Sequence, residues 1–223
     1  MTTMIPRGAL EDLAVFPLPD LVFFPHALLP LHIFEPRYRD MTADVLAGSR
    51  IMAVARLRPG YQADYQGRPP IFDTAGAGVC VHADKLPDGR YHIVLRGLAR
   101  VLIEEELPAD KLYRRARARL LGDDRSTRAD ELGAKHHELI LLCDRLAAAM
   151  LAEAEALRQL ARAVASPGGC ADAVASALVR DPDARQTLLE LLDPADRLDQ
   201  LAAHITALVA RLAARDGGRG APN

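Results

Sequence analysis

The stretch FPLPDLVFFPHALLPLHIFEPRYRDM, residues 16–41, holds strand-like runs and the start of a helix within one short segment. Residues 13–18 and 28–34 are short apolar runs bounded by turn residues, which is the signature of strands. Pro25 and Pro30 mark edges or bends there, because proline has no N–H to give to a sheet ladder. Glu35-Pro36 then opens a helix. Proline suits the first helical position, where its missing N–H would have no partner anyway. Tyr38, Met41 and Val45 carry that helix to Gly48, a good C-terminal stop.

Outward from this segment, the strand pattern continues to about residue 121. Residues 51–57 form another apolar run. Residues 77–83 and 91–96 flank Lys85-Leu86-Pro87-Asp88-Gly89-Arg90, where Pro-Asp-Gly presets a turn and predicts a hairpin. Gly97 separates residues 91–96 from a further run at 98–103, and a glycine there marks a bend or bulge. In residues 113–121, Arg115, Arg117 and Arg119 alternate with Ala116, Ala118 and Leu120, so one face is charged and the other can pack.

After residue 122 proline and glycine thin out and the apolar period becomes helical. Residues 130–165 form one long helix or two with a kink, ended by Ser166-Pro167-Gly168-Gly169, and a helix over 171–180 follows. Asp181-Pro182 and Asp193-Pro194 each look like a capping Asp before a first-turn proline. Leu198, Leu201, Ile205, Leu208 and Leu212 fall at steps of 3, 4, 3 and 4, which puts them on one stripe of the last helix. Such a stripe reads as the seam of a bundle core. The fold class is therefore α+β. A β-rich domain with one inserted helix spans residues 10–121, a helical bundle spans 128–213, and a Gly-rich tail at 214–223 is expected to be disordered.

Composition narrows the function. Half of the 223 residues are hydrophobic, enough for a real core, and the formal charge of −2 argues against a general polyanion binder. Cys80, Cys143 and Cys170 are widely spaced with no CxxC pair, so they read as buried or half-buried thiols of a reducing compartment and not as zinc ligands. No signal-peptide core and no membrane-length apolar run occurs, so a cytoplasmic protein is expected. His136 and His137 are adjacent and point about 100° apart on a helix, which suits one metal poorly. No metal or cofactor is expected.

Residues 16–41 resemble the opening of the LON domain, the N-terminal domain of the Lon protease family. Ile33-Phe34-Glu35-Pro36-Arg37-Tyr38 matches the helix start of single-domain bacterial relatives letter for letter. Residues 86–103, LPDGRYHIVLRGLARVLI, resemble the family's hairpin and its Gly-x-x-Arg corner, here Gly97 and Arg100. Residues 171–201 resemble its closing helices. The resemblance covers roughly residues 10–212 and implies a PUA-like pseudo-barrel with one inserted helix, followed by a helical bundle. It also implies what is not expected. The phosphate-cradling G-x-x-x-x-G-K-[ST] of an ATPase has no counterpart, since no Gly-Lys pair occurs, and the family's peptidase serine motif is missing. A free-standing LON domain without catalysis is the expectation.

In Lon the domain helps to recognise substrates, and in cereblon a LON domain is a platform for a partner complex. The resemblance thus implies a non-enzymatic module that binds polypeptide, the partner and the oligomeric state being left open. Candidate contact residues are Phe23, Phe24 and His26 in the first turn, and Tyr61 and Tyr65 in the loop over residues 58–70, where amphipathic aromatics can anchor a ligand. Both tyrosines can equally cover the barrel mouth. The competing reading is an RNA-binding PUA-like protein that uses Arg114, Arg115, Arg117 and Arg119. Against it, Glu104, Glu105 and Glu106 can pair with that strand, and only Tyr113 is aromatic nearby.

Overall fold

Alternate residues of two strands face opposite ways into two separate cores, and this arrangement organises the first half of the chain. In β1 (Leu13–Leu18), Leu13 and Val15 enter one apolar cluster while Ala14 and Phe16 enter another. In β3 (Ile51–Arg56), Ile51, Ala53 and Ala55 join the first cluster, and Met52 and Val54 join the second. Every residue of β3 is buried. Strands buried on both faces read as continuous apolar runs, which is how these two look in the sequence.

The computed structural model describes residues 5–65, 67–124, 127–149 and 154–217, and the chain divides into two compact units, Met1–Gly122 and Asp123–Asn223. In the first unit, α1 (Arg7–Glu11) leads into β1; β2 (Leu28–Ile33), α2 (Pro36–Ala47) and β3 follow. A short 3-10 turn at Tyr61–Asp64 precedes β4 (Thr74–Lys85), β5 (Tyr91–Glu106) and β6 (Arg114–Leu121). β1 pairs with β3 in parallel, and β3 with β4, β4 with β5, β5 with β6 and β6 with β1 are antiparallel. Those five pairings close a ring, and β2 is added to β5 as an outer edge strand. All five ring strands contribute to the first cluster, which therefore fills the ring. The second cluster lies under α2, whose Tyr38, Met41 and Val45 are buried in it.

The expected hairpin forms, with Tyr91 opposite Lys85 and Ile93 opposite Ala83, and Gly89 takes the left-handed conformation at φ 82°. β5 runs unbroken through Gly97, but its partner changes there. Up to Arg96 it pairs with β2; from Arg100 it pairs with β6. Its register against β4 shifts at Gly78, which faces Gly97. These glycines are needed for closeness. The backbone of residues 23–25 crosses over them, and a Cβ on Gly76 or Gly97 would overlap the carbonyl of Phe23 or Phe24 respectively.

The second unit is helical: α3 (Ala129–Ala149), α4 (Ala154–Ala163), α5 (Pro167–Leu178), α6 (Pro182–Glu190) and α7 (Pro194–Gly217). Residues 130–165 thus hold two helices, with 150–153 outside the described residues. Asp181 caps α6 by accepting from the Ala184 N–H at 2.7 Å, and Asp193 accepts from the Ala195 N–H at 2.8 Å beside Pro194. Three expectations need correction. Ser166-Pro167-Gly168-Gly169 is not a terminating loop but the start of α5: Ser166 caps it and Pro167 is its first residue. Gly168 leaves room beside it for the Asp123 carboxylate and the Arg197 guanidinium, which a Cβ would displace. In α7, Leu198, Leu201 and Ile205 are buried against the bundle, but Leu208 and Leu212 are only half-buried. Finally, α7 continues to Gly217, since Ala213, Ala214 and Arg215 are strong helix formers. The rest of the expected tail, 218–223, lies outside the described residues.

All three cysteines are buried and unpaired. Among the described residues no helix is long and apolar enough to cross a membrane.

Candidate functional site

The first unit carries a cleft of about 490 Å³ built by three chain segments. The start of α2 supplies Glu35, Arg37 and Tyr38; the connection from β3 to β4 supplies Tyr65, Arg68 and Pro69; the turn from β5 to β6 supplies Lys111, Leu112 and Arg114. Pro17 of β1 and Leu57 also line it.

The start of α2 sets the first wall. Glu35 occupies the position before Pro36 with extended backbone but makes no side-chain cap. Its carboxylate turns instead to Arg37, with Oε2 at 3.1 Å from Nε and 3.0 Å from Nη2. The Arg37 guanidinium lies over the Tyr38 ring, 4.6 Å from its centroid, and 5.9 Å from that of Tyr65. Cation–π contact of this kind holds a planar cation in place. Burial pushes the Tyr38 hydroxyl up to about 12, so it stays neutral at ordinary pH.

Arg114 forms the floor. It is 4% exposed, and its Nη2 donates to the Pro69 carbonyl at 2.5 Å while Nη1 donates to Glu106 at 3.2 Å. Burial holds its pKa below the usual arginine value. Glu106 opposes that shift, and the positive charges of Arg68 and Arg37 add to it. Arg68 also reaches Glu106, at 3.6 Å. On the third wall Lys111 and the Tyr113 hydroxyl both donate to Asp44, at 2.9 and 2.7 Å. Those two hydrogen bonds hold the Asp44 carboxyl below its ordinary value. Leu112 beside them is 73% exposed, an isolated large apolar side chain at the cleft rim.

The described lining is made mainly of cations, tyrosines, prolines, leucines and one carboxylate, with no Ser, Thr, Cys or His. It can stack, hydrogen-bond and attract negative charge.

The residues singled out from sequence separate into several groups. Phe23 and Phe24 are core, 2% and 0% exposed, because their segment crosses the glycines of β4 and β5; they offer no contact surface, and this corrects the expectation. His26 is exposed in the turn, with left-handed backbone at φ 66°, and does not line the cleft. Tyr61 and Tyr65 are half-buried, their rings 6.0 Å apart, and both pack on the ring-filling cluster; Tyr65 also lines the cleft. Arg37, Arg68, Lys111 and Leu112 were not singled out. The available signals were the Glu35-Pro36-Arg37-Tyr38 motif itself and a leucine directly after Lys111 in the turn between two strands.

The basic strand is paired within the chain. Arg119 meets Glu104 at 3.0 Å, Arg117 meets Glu105 at 2.7 Å and Glu11 at 3.2 Å, and Arg114 meets Glu106. Arg115 lies between Asp12 and Asp110, at 2.7 and 2.5 Å. No observation here favours nucleic acid. Among the described residues no three His, Cys, Asp or Glu side chains are grouped to hold a metal ion.

Comparison with known proteins places this architecture. A Lon protease of Desulfosudis oleivorans is 24% identical over 196 residues, 86% of this chain and 23% of the relative. Lon protease 1 of Herpetosiphon aurantiacus is 31% identical over 123 residues, 55% of this chain and 14% of the relative. The chain therefore spans no more than about a quarter of the length of these relatives. Among solved structures, the N-terminal domain of Mycobacterium avium complex Lon protease superposes with a TM-score of 0.69 at 19% identity, over 88% of this chain and 98% of that one. The family model for the ATP-dependent protease La (LON) substrate-binding domain matches residues 12–207, and the chain belongs to that family.

Proposed function

We propose that this chain is a non-catalytic polypeptide-recognition module, and that the cleft between α2, the Tyr65 segment and the Leu112 turn takes an extended segment of the bound chain. The family's description as a substrate-binding domain motivates the role. The observation that carries the location is the cleft itself, where an exposed Leu112, Tyr65 and prolines stand beside fixed cations. Concave sites with apolar walls and a few placed polar groups are the usual form of a ligand site. Assayed as a single copy, the module should bind weakly, because one site gains nothing from the effective concentration that multivalent binding supplies.

The test is fluorescence anisotropy with a labelled, apolar-rich unfolded peptide. The parent should bind, and the double variant Tyr65→Ala/Leu112→Ala should bind several-fold more weakly with an unchanged far-UV spectrum. Equal affinity of parent and variant would place the contact elsewhere.

A further inference from the structure

The charge of the cleft goes beyond what apolar capture requires. Four cations line it, Arg37, Arg68, Lys111 and Arg114, against one lining carboxylate, Glu35. The other acids these cations meet, Glu106 and Asp44, are not part of the lining, and each is shared. Glu106 takes both Arg68 and Arg114, and Asp44 takes both Lys111 and the Tyr113 hydroxyl. The whole chain carries a formal charge of −2, so this local excess runs against its overall balance. A cluster of like charges raises the energy of every member; at Arg114, whose pKa is lowered chiefly by burial, Arg68 and Arg37 add to the lowering and Glu106 opposes it. An incoming carboxylate relieves that repulsion. It also finds donors already fixed: Arg37 is held by Glu35 and the Tyr38 ring, and Arg114 by Pro69 and Glu106. Donors that need no reordering bind at lower entropic cost.

We propose that the cleft selects polypeptide segments in which an Asp or Glu side chain neighbours a large apolar residue. The carboxylate sits among Arg37, Arg68, Lys111 and Arg114, and the apolar side chain rests against Tyr65 and Leu112. This rests on the polypeptide-recognition reading and adds a preference to it. A phosphate chain has the opposite need, many charges and few apolar contacts. The exposed Leu112 and the proline walls give such a ligand little.

The experiment uses the full chain and four labelled peptides in a Gly/Ser background. One carries Phe-Leu next to Glu, one has Gln for Glu, and two repeat these with Ala for the apolar pair. The Glu peptide should bind about tenfold tighter than the Gln peptide, as expected for one charge-assisted hydrogen-bond set, and the gap should narrow at high salt. Both Ala peptides should bind more weakly than their apolar counterparts. Arg68→Gln/Lys111→Gln, at side chains 37% and 47% exposed, should remove the Glu–Gln difference without changing the melting temperature. Leu112→Ala should weaken Glu and Gln peptides equally. Equal binding of Glu and Gln peptides by the parent overturns the acidic preference and leaves polypeptide recognition standing. Failure of every peptide to bind overturns both. Displacement of the Glu peptide by a short RNA oligonucleotide at low concentration overturns the preference in favour of a polyanion site.

Discussion

Gly97 lies under Phe24: a Cβ on Gly97 would overlap the Phe24 carbonyl oxygen and approach the Pro25 Cα to 3.1 Å. Both obstacles are backbone, so no side chain can swing aside. The two segments are also tied, with the Gly97 N–H donating to Ala27 at 2.8 Å and the His26 N–H to Gly97 at 3.1 Å. Gly97→Ala should therefore destabilise at or beyond the upper end of the ~1–3 kcal/mol typical of overpacking. Gly122→Ala is the control, since a Cβ there meets nothing within 4 Å, and it should stay within ~0.5 kcal/mol. Urea midpoints of the two variants check this. Similar midpoints would mean that the crossing segment is loosely held.

Much of this architecture was legible because single residues forced it. Pro36 fixed the start of α2, Pro-Asp-Gly fixed the hairpin, and the alternation of residues 114–121 fixed β6. What could not be read was which backbone crosses which. Phe23 and Phe24 sit between prolines and a histidine, a composition equally suited to an exposed turn. Only the three-dimensional proximity of Gly76, Gly78 and Gly97 makes them core. The cleft was half-legible for a similar reason. Tyr65 stands in a loop and Arg114 in a strand, and their meeting with Arg37 spans distant parts of the chain and leaves no local pattern.

The α7 stripe predicts a gradient. Ile205 is fully buried, so Ile205→Ala should cost ~2–5 kcal/mol and Ile205→Val ~0.5–1.5 kcal/mol. Leu208 is half-buried, and Leu208→Ala should cost clearly less than Ile205→Ala. Chemical denaturation of the three variants would show it. Equal, negligible losses would mean that the stripe is not a core seam.

The charged ladder of β6 predicts unequal effects along one strand. Arg117→Gln and Arg119→Gln break exposed pairs with Glu105 and Glu104 and should each change stability by less than ~1 kcal/mol. Arg114→Gln, buried and bound to Pro69 and Glu106, should cost ~1–3 kcal/mol because those acceptors lose their donor. Thermal melts at low and high salt distinguish the two classes, since only the exposed pairs are strongly screened.

The buried thiols predict an alkaline weakness of the helical unit. Burial pushes Cys143 up to about 12 and Cys170 up to about 11, from 9.0. A folded pKa raised above the unfolded value means that the unfolded chain releases its proton first. The stability contributed is complete below pH 9.0 and is lost as the pH rises toward the folded values. Each thiol should add a slope of ~1.4 kcal/mol per pH unit in that window. Cys143→Ser and Cys170→Ser should flatten the stability profile there, whatever they do to its height. An unchanged slope would show that the thiols do not ionise differently in the two states.

The last prediction separates two tyrosines that the sequence treats alike. Tyr61 and Tyr65 lie in one loop with rings 6.0 Å apart, and both rest on the cluster that fills the ring. Only Tyr65 reaches the cleft, where its ring also lies 5.9 Å from the Arg37 guanidinium. Tyr61→Ala should remove packing alone: the melting temperature falls while peptide affinity stays within about twofold. Tyr65→Ala should remove packing, a cleft wall and a cation–π contact together. Affinity should then fall about fivefold, in line with the ~1 kcal/mol that such aromatic contacts contribute. Tyr65→Leu keeps apolar area but not the π face, so its affinity should lie between that of the parent and that of Tyr65→Ala. The measurement is peptide anisotropy beside a melting curve for each variant. If Tyr61→Ala and Tyr65→Ala lose affinity in proportion to their loss of melting temperature, the loop acts only as a lid on the core. If Tyr65→Ala alone loses affinity while its melting temperature matches that of Tyr61→Ala, the cleft is where the peptide binds.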